Sequence, residues 1–258
     1  MDHRYKNATR LGKRHLIRHR IEKIKSSEYL SVLILRTIGN FLVLSSLFMV
    51  GKTFYQPVQQ EIRFFIEQQA KKEYVVASNK EEEAKYKLQS NKNQPKGALN
   101  SLLNVKPLEV LVPEDPEFSV VITKIGANAR ILPNIDVSDE DAYLEALKSG
   151  VAHAMGTAFP GEGGHVFLFA HSTDYFWNVG NYNAVFYLLH KLEKGDEINL
   201  FFKGQRFRYQ VVEKSIVNPD QVEYLTRKTN REFVTLQTCW PPGTTLKRLL
   251  VFAVRVAD

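Results

Sequence analysis

The sequence predicts a mostly-β domain, a barrel of short strands with a few short helices, carried behind an N-terminal transmembrane helix. Three observations lead there. Residues 29–50 are dominated by Leu, Ile, Val, Phe and Met and follow a basic stretch. From residue 119 onward, short β-branched and apolar runs alternate with turns containing Gly or Pro. The chain then closes on two such runs, 233–239 and 248–256, separated by Pro241, Pro242 and Gly243, which is the pattern of a β-hairpin.

At 258 residues the chain holds one sizeable domain plus appendages, or two small domains. Its single cysteine excludes an intramolecular disulfide and a multi-cysteine zinc site. The net charge of +7 is not spread evenly: residues 1–28 hold nine Lys/Arg against three Asp/Glu, leaving 26 against 25 for the other 230 residues. With no basic groove left to follow phosphates, a nucleic-acid partner is not expected.

Residues 1–28 read as a basic cytoplasmic tail and residues 29–51 as a transmembrane anchor. Twenty-two residues of helix rise ~33 Å, enough for a hydrocarbon core of ~30 Å. Arg36 lies near one end, where its stem can snorkel, and the basic excess before the span puts the N-terminus in the cytoplasm. Residues 52–118 read as stalk and linker. Pro57 is placed to open a helix, and Val58, Ile62, Phe65 and Ile66 form one apolar stripe. Residues 78–97, rich in Lys, Glu, Asn, Gln and Ser, read as a flexible spacer, and Asp115-Pro116 as a turn.

The domain proper is expected over 119–258. Residues 120–125 and 130–132 read as strands around a turn at 126–129, the second ended by Pro133. Ser138 is a good N-cap for a helix over 138–147 that Gly150 stops. Residues 166–170 are a continuous apolar run, the pattern of a buried strand, and 183–192 reads as a helix. Strands follow at 197–202 and 205–212, joined through Lys203-Gly204, then another at 211–217 and the closing hairpin.

In that hairpin Cys239 ends one strand and Arg248 begins the next, so the thiol faces a guanidinium, which biases it toward thiolate. Acyl transfer from a peptide needs such a nucleophile, a proton donor for the leaving amine and a donor for the oxyanion. Near neutral pH the proton donor is a histidine, and the domain offers His153, His165, His171 and His190. His190 reads as a surface or helix-terminus residue and His153 as a packed one. His165 and His171 share a strand face ~20 Å apart, so only one can reach Cys239, and the residues alone leave the choice open.

The pattern Thr235-Leu-Gln-Thr-Cys239 with Arg248 nine positions on resembles the signature of sortases, the cysteine transpeptidases of bacterial surfaces. So do Ile122-Thr-Lys-Ile-Gly-Ala-Asn-Ala, Gly150-Val-Ala-His-Ala-Met-Gly-Thr157, Pro160-Gly-Glu and His171-Ser172, over about 119–258. Ala170, where the family commonly has Gly, and Trp240-Pro-Pro, where many members have Thr-Pro, are departures; the subclass is read as class D/E-like. The resemblance implies an eight-stranded barrel, a catalytic trio of His171, Cys239 and Arg248, and cleavage of a Leu-Pro-x-Thr-Gly-like sorting signal. The acyl group would pass to an amine of the cell envelope or a pilin. Thr238 and Trp240, with Trp177 of the aromatic run after His171, are candidate substrate-binding residues. No cofactor is expected. Glu193, Asp196 and Glu197 could bind Ca²⁺ as acidic loops do in some sortases, but read as a solvated turn. A hydrolase with the same trio and an inactive, membrane-tethered peptide-binding barrel are the alternatives.

Overall fold

The computed structural model describes residues 3–70, 73–93, 108–172, 185–227, 229 and 231–256. It divides into two compact units, Met1–Tyr55 and Gln56–Asp258. Helix α1 is continuous over His3–Gln69, and its segment Glu28–Lys52 is long and apolar enough to cross a membrane, with none of it buried in the protein.

The second unit is built on a closed barrel of eight strands, as the sequence leads one to expect. After a small two-stranded parallel sheet of β1 (Glu73–Val76) and β2 (Leu108–Leu111) come β3 (Phe118–Ile122), β4 (Ala127–Ile135), β5 (Val151–Ala154) and β6 (His165–Phe169). The barrel is completed by β7 (Glu197–Phe202), β8 (Gln205–Val217), β9 (Phe233–Trp240) and β10 (Lys247–Arg255), around the circuit β10-β8-β7-β3-β4-β5-β6-β9. Period-two alternation sorts each strand. Val120, Ile122, Val166, Leu168, Leu200, Tyr209, Val234, Leu236, Leu249 and Val251 fill the interior. Their neighbours point outward, and several of these are buried too, because other segments cover the barrel. Helix α3 (Glu140–Ser149) lays Ala146 and Leu147 on Phe167 and Phe169. The β8–β9 connection lays Tyr224 on Val217, Phe233, Leu250 and Phe252.

Local chemistry accounts for several departures from the sequence reading. Asp139, not Ser138, caps α3, its side chain accepting from the Ala142 N–H at 3.0 Å, while Ser138 bonds Asp136 instead. Pro133 does not end β4, which runs on to Ile135 through a register shift against β5. The two strands read after Gly204 are one, β8, kinked by a bulge where Phe252 and Ala253 pair with Glu213 and Val211. The helix read over 183–192 is a single 3-10 turn, Tyr187–Lys191; residues 183 and 184 lie outside the described residues. Asp115-Pro116 is a turn that the Gly204 N–H ties to the Pro116 carbonyl.

Residues 56–118 do more than the sequence suggests. The stretch read as a spacer contains α2 (Lys80–Asn93), because Asn79 caps the Glu82 N–H at 2.8 Å, Glu82 returns a bond to the Ser78 N–H, and Glu81, Glu82 and Glu83 complement the helix dipole. Val76 and Leu111 of the small sheet cover Val121 and Phe201 on the outside of the barrel. Pro57 sits inside α1 rather than opening it. The stripe of Val58, Ile62, Phe65 and Ile66 stays at least half exposed, and Phe64, on another face, packs against the barrel core. Gly126 takes φ 62° beside this helix, where a Cβ would lie 2.8 Å from Arg63 Nη2.

Candidate active site

Three neighbouring strand ends make the site. Strands β9 and β10 are antiparallel and pair Cys239 with Arg248, as the hairpin loop requires. Strand β6 runs parallel to β9 with His165 opposite Phe233 and Phe169 opposite Gln237, a constant offset of 68 residues. The Ala170 N–H carries that ladder one step further to the Gln237 carbonyl at 3.1 Å, so the chain reaches His171 level with Cys239. Alternation puts all three on the outer face: Ala170, Leu236 and Leu249 are interior, and His171, Cys239 and Arg248 are out of phase with them. His165, the other candidate, is at the far end of β6, buried, stacked on Phe233 at 4.2 Å and bonded through Nε2 to Thr235 Oγ1 at 2.8 Å.

Thr238, read as a substrate-binding position, is buried, and its Oγ1 donates to the Ala170 carbonyl at 2.9 Å. It is a strut that ties the ends of β6 and β9 together under the site. Trp240 is half-buried, with its ring against the interior cluster and 5.4 Å from the His190 ring. Trp177 lies outside the described residues.

Arg248 is half-buried and held by its loop, with Nη1 donating to the carbonyls of Thr245 and Lys247 at 3.1 Å each. Its Nε and Nη2 donate to nothing among the described residues, which leaves a fixed part of the fork for a ligand oxygen. Lys247 points away to Asn218 Oδ1 at 2.8 Å. The thiolate bias read from the sequence does not hold in this resting arrangement. Burial pushes the Cys239 thiol above its ordinary value, and the Arg248 charge offsets this only in part.

His153 is a structural residue. Its Nδ1 accepts from the Asn134 N–H, so Nε2 carries the proton and donates toward Ala158 O and Thr157 Oγ1. The acidic turn is met by basic side chains of other elements: Asp196 accepts the Glu193 N–H and meets Lys124, and Glu197 pairs with Arg206 of β8. Among the described residues, no group of three or more His, Cys, Asp or Glu is gathered to hold a metal ion.

The model of the sortase domain family matches residues 120–256. The chain therefore belongs to the sortase family, cysteine transpeptidases that join proteins to the bacterial surface. It is 29% identical over 165 residues to Sortase D of Bacillus subtilis (strain 168), covering 62% of this chain and 75% of the relative, in agreement with the class D/E-like reading. Among solved structures, sortase C-1 from Actinomyces oris is 32% identical, with 56% of this chain and 76% of that one covered and a TM-score of 0.47. The pilus-related sortase C of Group B Streptococcus is 25% identical, with 65% and 78% covered and the same TM-score of 0.47.

Proposed function

We propose that this chain is a membrane-anchored transpeptidase that cleaves a Leu-Pro-x-Thr-Gly-like sorting signal and passes the acyl group to an amine of the cell envelope or of a pilin. The observation that carries the reading is the convergence of His171, Cys239 and Arg248 as outward positions at three adjacent strand ends. The N-terminus is cytoplasmic, on the strength of the basic tail before the apolar segment, and the barrel faces the outside.

The reaction starts from the protonated thiol, so the Cys239 proton passes to His171 as substrate binds. The thiolate then adds to the scissile carbonyl and Arg248 stabilises the oxyanion with its free donors. Collapse of the adduct breaks the C–N bond, the leaving amine takes the His171 proton, and a thioester to Cys239 remains. An incoming amine gives its proton to His171 and attacks the thioester. The expelled thiolate recovers the proton.

The test is a peptide library varied around Leu-Pro-x-Thr-Gly, mixed with several amines and followed by mass spectrometry. We expect cleavage after the Thr-like residue, capture by the amine and a thioacyl adduct on Cys239, all lost in Cys239→Ala and in His171→Ala. Cleavage that persists in Cys239→Ala refutes the assignment, and water as the sole acceptor makes the protein a hydrolase.

A further inference from the structure

The end of α1 that seats on the barrel does so with the wrong side for an ordinary surface helix. Over 57–69 the half-buried residues are Pro57, Gln60, Glu61, Phe64 and Glu67. Phe64 packs on the barrel core and Glu61 meets Lys191 at 3.0 Å, so this largely polar side is the one in contact. Val58, Ile62, Phe65 and Ile66 are 50%, 53%, 62% and 59% exposed. At 3.6 residues per turn the two sets are centred roughly 140° apart. A surface helix normally lays its apolar stripe on the core and keeps its polar face in water, and here the two are exchanged. The spacing of the stripe is regular as well. Tyr55, 62% exposed, Val58, Ile62 and Phe65 follow one another at three, four and three residues, the a and d positions of a heptad. On the same count Pro57, Gln60, Phe64 and Glu67 are c and f positions, which point away from an a/d seam. The barrel therefore sits behind the seam and leaves it open.

We infer that a second copy of this chain covers the stripe: two α1 helices pair in parallel, with Val58, Ile62 and Phe65 of one against the same residues of the other. The pairing rests on the reading of Glu28–Lys52 as a membrane anchor and is independent of the chemistry at Cys239. Anchored copies enter the bilayer in the same direction and carry the stripe the same number of residues beyond it, which favours a parallel, in-register, two-fold contact. Charge agrees with this occupant. The a and d positions are uncharged, and the flanking e and g positions hold Gln59, Glu61, Ile66 and Gln68, where the single carboxylate is already paired with Lys191. A helix made to lie among lipid headgroups carries Lys and Arg along its polar face. The only basic residue in 53–69 is Arg63, whose Nε is paired with Glu67 Oε1 at 2.9 Å, and the polar face is occupied by the barrel. Four side chains bury on the order of 400 Å² per copy, about half the ~800 Å² per partner of a standard interface. Confinement to one bilayer raises the effective concentration of the copies and compensates for the small area.

The test uses the full-length chain in phosphatidylcholine/phosphatidylglycerol vesicles. Cys239→Ala removes the sole cysteine, and single cysteines are then introduced by Val58→Cys, Ile62→Cys or Phe65→Cys on the seam and by Arg63→Cys or Ala70→Cys at exposed positions off it. A disulfide needs Cβ atoms ~4 Å apart, which a parallel pair provides at its seam. Copper-phenanthroline oxidation, with each rate divided by the iodoacetamide alkylation rate of the same cysteine, should give dimers about tenfold faster or more at the seam positions. Adding Ile62→Glu to Phe65→Cys should cut that rate on the order of tenfold with Tm unchanged, because Ile62 is exposed within its own unit. Equal rates at all five positions mean random collision and overturn the inference, as does a rate that Ile62→Glu leaves intact. The same cysteines, labelled with bimane in nanodiscs holding one chain each, report on lipid. Quenching by brominated phosphatidylcholine as strong at Ile62→Cys and Phe65→Cys as at Leu44→Cys in the apolar segment would show that lipid covers the stripe, and also overturns pairing. If the protein washes off the vesicles in carbonate, the anchor reading fails instead, while the crosslinking pattern repeated in solution still reports whether the stripes pair.

Discussion

His165 makes stability depend on pH in a way that can be worked from the structure. The ring is buried between Phe233 and Phe167, with Thr235 as its Nε2 partner. Burial first, then the nearby Arg227 charge, hold its pKa down at about 4 from an ordinary 6.5, against a backbone hydrogen bond with Arg227 that favours the cation. Above pH 6.5 neither the folded nor the unfolded chain carries the proton, so this residue adds no slope. Between pH 6.5 and 4 the unfolded chain takes up a proton that the folded chain refuses, so stability falls as pH falls. The full difference is about 3 kcal/mol, at ~1.4 kcal/mol per pH unit. His153 and His190 are lowered too, chiefly by burial, and add to the slope with the same sign. The residue-specific part is isolated by His165→Phe, which keeps an aromatic on Phe233 but cannot titrate. Urea unfolding of the 56–258 fragment, followed by circular dichroism from pH 7.5 to 4, should show the variant losing about 3 kcal/mol less than the parent over that range. A variant with the same pH slope as the parent would refute the buried neutral histidine.

Two further outcomes follow from the same geometry. A fragment starting at residue 56 should fold and melt like the full-length barrel, whereas one starting at residue 100 removes Phe64 and Val76 and bares Val121 and Phe201. At ~1.5–3 kcal/mol per buried apolar side chain, calorimetry should find the shorter fragment several kcal/mol less stable; equal Tm values would mean that 56–99 contributes nothing. Arg248→Lys keeps the charge but cannot both hold the Thr245 and Lys247 carbonyls and offer free donors to an oxyanion, so kcat should fall on the order of 10²-fold with KM moving less. Steady-state kinetics at an unchanged kcat would return Arg248 to the role of a loop clamp.

What was legible in the sequence is what neighbours along the chain dictate. The apolar segment is set by composition. The facing of Cys239 and Arg248 is set by a Pro-Gly loop of fixed length between two β-formers, and alternation within each strand tells interior from exterior. These are short-range properties, and the structure repeats them. Element ends were less legible, because Asp139 outcompetes Ser138 for the cap only through the local geometry at Asp136, and because a bulge that merges two runs into β8 depends on its partner strand.

The remainder joins residues far apart in sequence, and local patterning carries no information about it. Which histidine stands level with Cys239 depends on the parallel register of β6 and β9, 68 residues apart, and that register is chosen by the packing of the whole barrel. The resting charge of the thiol depends on burial that outweighs the Arg248 pairing visible in the sequence. By sequence, residues 52–118 read as stalk and linker, with a spacer at 78–97, because they are polar or carry an apolar stripe. The contacts that seat them run instead through Phe64, Val76 and Glu61, whose partners lie on strands and turns reached only when the chain closes on itself.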